Sequence, residues 1–458
     1  MLQTLINAWK IADLRKKILF TAFIILVFRI GSAITIPFVD IAADGIIADV
    51  ANDNSFMSYL SMMTGDAFNY ATILAMSITP YINSSIIMQL LAVAIPALER
   101  LQKEGEEGRK KIATITRYVT IGLGLMQSVA YYFYLRNQGY LLTPASGAYT
   151  VAEQVLQALV IITVLSAGAG LTMWLGERVN VNGIGNGVSM ILFAGIIARI
   201  PRLVASLYSP DIQVGYFARG GLWTPLSILA GLALLGMVAF IVWMDNAERR
   251  IPVQYTKHVV GRKMYGGQSS HIPIKVNMSG VMPVIFASSI LSLPPTINMF
   301  LDQGKLSEGW KTFFSIFSQG NPVYLPIYFV LIIGFAYFYS SIQYDPTEMA
   351  NNIRSNHGMI PGYRPGEPTA NYIKRILSRI TLLGALMLSV VALFPILFSL
   401  LSTLALNLAY PVEEGGQKLT MTIAMGGTSI IILVGVALET VKQLESQMML
   451  RHYKGFLD

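Results

Sequence analysis

Of 458 residues only 13% are charged while 54% are hydrophobic, against roughly 25% charged in an ordinary soluble domain. With no cysteine in the chain, disulfides, thiolate metal sites and cysteine nucleophiles are excluded. The net charge of +8 sits mainly between apolar runs, which makes it a statement about membrane topology rather than about nucleic acid.

From the start, Met-Leu-Gln-Thr-Leu-Ile-Asn-Ala-Trp-Lys, no small-residue cleavage site follows the first apolar run, so that run is expected to act as its own insertion signal. Ten runs of about 20 residues, the length that crosses a hydrocarbon core, are predicted as helices. They lie near 18–38, 71–95, 114–135, 154–175, 188–208, 222–244, 281–301, 323–343, 376–401 and 421–441. Arg29 is the clear charge inside a run, and is expected to meet carbonyls or an acid at a helix contact. Between the first two runs, residues 55–64 are apolar yet too short to span. They read either as an amphipathic helix on the outer surface or as a re-entrant segment packed in protein. Asn83, Ser84, Ser85, Gln89, Gln127 and Asn186 are polar and uncharged within or beside the runs. Such residues join helices or line a seam that tolerates water.

Five runs per half is the arithmetic of an inverted repeat, with halves expected at 1–215 and 216–458. A faint echo supports it: Pro-Tyr-Ile-Asn-Ser-Ser-Ile at 80–86 and Pro-Val-Ile-Phe-Ala-Ser-Ser-Ile at 283–290. With cations at run ends counted with their nearest loops, 25 of the 33 Lys and Arg fall on the side of both termini and 7 on the other. That bias puts both termini in the cytoplasm. Arg199, Arg202 and Arg219 run against it.

Two cytoplasmic loops are large, 245–280 and 344–375. In the second, Pro361-Gly362 and Pro365-Gly366 bracket Arg364, and Pro-Gly pairs make tight turns, so the arginine is expected to be held outward. The four histidines fall in cytoplasmic segments with no carboxylate at metal-ligand spacing and read as solvated. There is no phosphate-binding loop of the Gly-x-x-x-x-Gly-Lys-Ser/Thr type, and Gly183-Ile184-Gly185-Asn186-Gly187 reads as a flexible helix start. No catalytic apparatus, fuel-binding site, cofactor or metal site is expected. A secondary transporter with an inverted repeat is disfavoured because the runs lack mid-depth carboxylates.

Taken together, several segments resemble the SecY family, the channel subunit of the protein translocon. They are Ala71 to Gln89, Trp174-Leu175-Gly176-Glu177-Arg178 with Gly183 to Ser189, Lys103 to Lys111 with Thr116-Arg117-Tyr118, Arg249 to Tyr255, and the Pro-Gly-Tyr-Arg-Pro-Gly turn. The resemblance covers nearly the whole chain in order. It implies an all-α polytopic membrane protein of ten transmembrane helices in two inverted five-helix halves around a pore. It further implies a passive channel that would pass unfolded, signal-bearing polypeptides across the membrane and release apolar segments into the lipid bilayer.

The resemblance also assigns residues. The apolar pore ring would be Ile78, Ile82, Val188, Leu192, Ile285 and Ile432; Val188 and Leu192 depart from the isoleucine common there. Phe56, Met57, Leu60, Met62 and Met63 would belong to a plug, and Asn83, Gln127 and Asn186 to a lateral gate. Arg249, Arg250, Arg262, Lys263 and Arg364 would contact a SecA-like motor ATPase or the ribosome, while Thr347 stands where many bacterial members carry arginine. SecE-like and SecG-like subunits are implied as partners, and the plasma (inner) membrane as the location.

Overall fold

The computed structural model describes residues 2–39, 61, 64–137, 139–142, 150–201, 223–255, 258–260, 263–265, 269–298, 307–317, 321–409 and 427–454. Two compact units are formed: Met1–Arg219 with Leu291–Tyr324 and Val436–Asp458, and Gly220–Ile290 with Leu325–Gly435.

In chain order the helices are α1 (Leu2–Lys10), α2 (Ala12–Gly31), α3 (Thr79–Ala94), α4 (Pro96–Lys103), α5 (Glu106–Asn137), α6 (Val151–Asn182) and α7 (Gly187–Ile197). There follow α8 (Trp223–Asn246), strands β1 (Glu248–Tyr255), β2 (His258–Val260), β3 (Lys263–Tyr265) and β4 (Ser269–Lys275), then α9 (Met282–Asn298) and α10 (Glu308–Ile316). The chain continues with α11 (Tyr324–Gln343), α12 (Pro346–Ser355), β5 (Gly358–Met359), α13 (Glu367–Ala409) and α14 (Gly427–Lys454). Each of the ten predicted apolar runs holds a helix. Among the described residues five helices are long and apolar enough to cross a membrane, or six if the bent pair α3 and α4 is one span.

The run 71–95 is not one helix. Residues 64–78 are largely turns, and α3 begins only at Thr79, with Pro80 in its first turn, where a missing N–H costs no intrahelical bond. At the other end Pro96 stops the helix at Ile95, and the chain turns through 106° into α4. The turn segment is tied on both sides: Ile36 N–H donates to Ala71 O (2.9 Å), Ile73 N–H to Ile34 O (2.9 Å), and Tyr131 Oη to Phe68 O (2.7 Å). Phe68, Tyr131, Tyr134, Leu135, Ile161 and Leu165 form the buried core around it.

Hydroxyls and small residues pack the helices of the first unit. Ser84 Oγ on α3 meets Thr120 Oγ1 on α5 at 2.5 Å, and Ser166 Oγ on α6 donates to Ser128 Oγ on α5 at 3.2 Å. At α6 the start is set by a capping box between Thr150 and Glu153.

In the second unit the loop 245–280 carries β-structure that the loop reading did not anticipate. Strands β4, β1 and β5 form an antiparallel sheet with Ile251 opposite Ile272 and Gln254 opposite Met359. Ile251, Val253, Ile274, Ile353, Ile373 and Leu377 bury its inner face against α12 and the first turns of α13. The segment 345–366 is likewise more ordered than a plain loop. Asp345 caps α12 by accepting the Thr347 N–H (2.8 Å), and Pro346 sits at the first helical position.

Tyr131→Phe removes the donor to the buried Phe68 carbonyl and should cost about 1–3 kcal/mol, the usual desolvation penalty. Thermal unfolding of the detergent-purified protein should show a lowered midpoint with unchanged helical content.

Candidate functional site

The residues expected in the pore ring are carried by helix starts. Ile78 is the N-cap of α3 and Ile82 lies one turn on; Val188 and Leu192 occupy the first turns of α7. Gly176 of α6 is where the two starts meet. A Cβ there would lie 3.3 Å from Ile78 Cδ1, 3.5 Å from Ile191 Cδ1 and 3.7 Å from Val188 N. Ile78 and Leu192 are buried, Ile82 and Val188 half-buried. In the second unit Ile285 and Ile432 are both buried. Phe286 beside Ile285 is held edge-on by Phe335 and Tyr339 of α11.

The stretch read as a flexible helix start is tightly built. Asn186 accepts from Val188 N–H (3.1 Å), Gly187 N–H donates to Asn180 Oδ1 (2.7 Å), and Ile184 N–H to Thr21 Oγ1 (3.0 Å). Gly187 lies against the Gly176 carbonyl, where any side chain would collide.

Of the three polar seam residues, Asn83 and Gln127 line one cavity with Thr64, Thr79, Tyr131 and Ser292, and Asn83 Oδ1 is buried without a hydrogen-bond partner among the described residues. Asn186 is outside that lining and caps α7 instead.

Phe56, Met57, Leu60, Met62 and Met63 lie outside the described residues. The end of their segment is described and buried at Ser61 and Thr64. Asp66 Oδ1 accepts from Ser61 Oγ (2.8 Å) and faces Arg199 Nε (3.3 Å), and Arg29 donates to the Gly65 carbonyl (3.5 Å). Of the two partners expected for Arg29, a carbonyl is what it meets. Sequence reading did not pair Asp66 with Arg199, although Arg199's place among cations on the wrong side was the available signal. A second unanticipated pair joins Arg117 Nε of α5 to Glu177 Oε1 of α6 at 2.7 Å.

On the loops, Arg249 and Arg250 are exposed on β1, and Arg250 is paired with Glu248 at 2.8 Å. Arg262 lies outside the described residues, and Lys263 opens β3. Arg364 is exposed in a turn whose flanking glycines, Gly362 (φ 85°) and Gly366 (φ 109°), take left-handed backbone. Its carbonyl accepts from the Thr369 hydroxyl (2.7 Å), and Tyr363 stacks on Tyr372 with centroids 4.1 Å apart. Thr347 donates both its N–H and its hydroxyl to Asp345 at the start of α12.

Apolar helices long enough to cross a membrane, a helix pair bent through 106° and an exposed loop platform define a polytopic membrane protein. The architecture matches a solved protein-conducting channel with a TM-score of 0.61 at 17% identity, covering 95% of this chain and 92% of that one. It is also similar to Sec61 in the canine ribosome-channel complex from the endoplasmic reticulum, with a TM-score of 0.57 at 15% identity, over 95% and 92% of the two chains. The SecY family pattern matches residues 72–441, and the protein translocase subunit SecY of Streptomyces scabiei is 41% identical over the full length of both chains. The chain belongs to the SecY family, the protein-conducting channel subunit of the protein translocase, a multi-pass membrane protein of ten helices in two halves.

Thr369→Val should leave the Arg364 carbonyl without its clamp and loosen the turn by about 1 kcal/mol. Limited chymotrypsin cleavage after Tyr363 should accelerate while the thermal midpoint of the whole protein stays in place.

Proposed function

We propose that this chain is the passive pore of a plasma-membrane translocon with both termini cytoplasmic, its halves at 1–215 and 216–458. Unfolded signal-bearing polypeptides pass through it, pushed by a SecA-like ATPase or a translating ribosome, and SecE-like and SecG-like subunits brace it in the bilayer. The observation that carries the motor assignment is Arg364. It is exposed on a turn bound by two left-handed glycines, the Thr369 clamp and the Tyr363–Tyr372 stack, and that frame stands on a buried core. A guanidinium so presented makes planar, charge-assisted contacts that lysine reproduces poorly. The ribosome as an alternative docking partner is supported by the ribosome-bound state of the similar Sec61 channel. The cation bias of the loops supports the orientation.

Within the pore, Ile78, Ile82, Val188, Leu192, Ile285 and Ile432 form the apolar constriction, which resists wetting and so blocks ions at rest. The meeting of Ile78 and Val188 at Gly176 supports the part contributed by α3 and α7. Segment 55–64 is the plug, supported by the burial of its end at Ser61 and Thr64. Asn83 and Gln127 belong to the lateral gate through which apolar segments leave for lipid, supported by their shared cavity. Asn186, also assigned there from the resemblance, positions the start of α7.

Arg364→Glu should abolish motor-driven export from vesicles at normal channel levels, and Arg364→Lys should leave it partly impaired. Normal export by Arg364→Glu would refute the docking assignment. Single-channel recording of the resting Ile82→Ser, Ile285→Ser double variant should show an ion leak that the unmodified channel lacks, and a tight seal would refute the ring.

A further inference from the structure

The loop platform leaves the membrane helices through a narrow stem. Helix α8 ends at Asn246 and β1 begins at Glu248, while β4 ends at Lys275, and Glu248 opposite Lys275 is the lowest pair of the sheet. Below that pair the ladder continues toward α8. Val276 N–H donates to Ala247 O at 2.8 Å, and the Asn277 side-chain Nδ2 then donates to Asp245 Oδ1 at 2.7 Å. This last rung is made by side chains alone, between the final turn of α8 and the chain returning toward α9.

Asn277 is buried and its Oδ1 has no partner among the described residues, so Asp245 is what orients its amide. A hydrogen bond to a carboxylate is stronger than one between neutral groups. Around this rung the stem has no slack. A Cβ on Gly384 of α13 would stand 2.5 Å from Val276 O, so that helix meets the stem backbone to backbone. Ser279 Oγ donates to Ala336 O of α11 at 3.3 Å, and Met278 joins the apolar core beneath the sheet. That core holds the sheet onto α12 and α13, but apolar burial is non-directional. Direction is set at the stem.

We propose that Asp245 and Asn277 are positioning residues. Their hydrogen bond fixes the angle at which the platform 245–280 leaves α8, and so places Arg249, Arg250 and the β2–β3 hairpin with Lys263 for the motor ATPase. This rests on reading the exposed loop cations as a docking face. The strand from Glu248 to Gln254 rises about 20 Å, so a tilt of about 10° at its base carries the far end by about 3 Å. A recognition face tolerates errors of only about 0.5 Å. One side-chain rung at the base therefore governs contacts made well above it.

Two measurements on the reconstituted complex test this. The first reads the angle. Cysteines replacing Ser270 on β4 and Ser341 on α11, both exposed, carry a spin-label pair, since the chain has no cysteine of its own. Asp245→Ala and Asn277→Ala should each broaden the interspin distance distribution, while Asp245→Asn, which keeps an acceptor, should leave it narrow. The second is export into vesicles titrated with the purified motor ATPase. Each alanine variant should raise the half-saturating motor concentration about three- to tenfold, as loss of one net hydrogen bond would, with the saturated rate unchanged. The double alanine variant should go no further than either single one, and Asp245→Asn should stay near the unmodified value. Lost packing alone would give neither that rescue nor a split between half-saturation and rate. An unmoved half-saturation in both alanine variants, whatever the distances, or additive effects, would overturn the proposal. The Arg249→Glu, Arg250→Glu double variant, titrated in parallel, separates its failure from that of the docking reading. A raised half-saturation there beside unaltered alanine variants removes the stem's role and leaves docking in place. An unaltered titration of the charge-reversed channel removes the docking reading, and the positioning role with it.

Discussion

An unpaired backbone group in the membrane interior costs several kcal/mol, so a chain that leaves helix there must find partners for every N–H and C=O inside the protein. The stretch 64–78 is where this chain accepts that burden. Ile34, Ile36, Thr64, Thr72 and Tyr131 supply hydrogen bonds to it, and the core of Phe68, Leu135, Ile161 and Leu165 covers it. Because the stretch is not helical, α3 starts only at Thr79 and the buried Ile78 becomes its cap. The cavity beside Asn83 and Gln127 lies at the end of the same irregular stretch.

The broad fold was legible because the physics behind it is local and repetitive. A run of about 20 apolar residues has few alternatives to a helix in a membrane; each predicted run holds a helix, and five or six of those described are long enough to cross. The turn around Arg364 was legible for the same reason: Gly362 and Gly366 are the residues that take the required φ, and they do. The break at 71–78 was not legible, since Ile73, Leu74, Met76 and Ile78 are as apolar as any helix; only Pro80 marked the true start. Nor were the strands of loop 245–280 anticipated, because their inner face, Ile251, Val253 and Ile274, is buried only by α12 and α13, which come about a hundred residues later.

The site was legible in composition and illegible in pairing. Asn83 and Gln127 stood out as polar residues in apolar runs, and the cavity brings them together. Asn186 stood out equally, yet its amide is used on its own helix. Arg29 and Arg199 were visible as cations out of place, but which residue each meets depends on how α2 and α7 flank Gly65, and no periodicity encodes that. Gly176 and Gly187 look like ordinary membrane-helix glycines until their backbones are seen in contact.

Helix α13 carries a mechanical consequence. It runs unbroken for 43 residues from Glu367, the residue after the Arg364 turn, to Ala409. At 1.5 Å per residue that is about 65 Å, roughly twice a hydrocarbon core. A force applied at the Arg364 turn is therefore delivered along one rod to the other end of the helix, with little lost to hinge bending on the way. Pro395 is the one interior position where a rung of the hydrogen-bond ladder is missing, so it is there that the rod would flex, well into the distal half of its length.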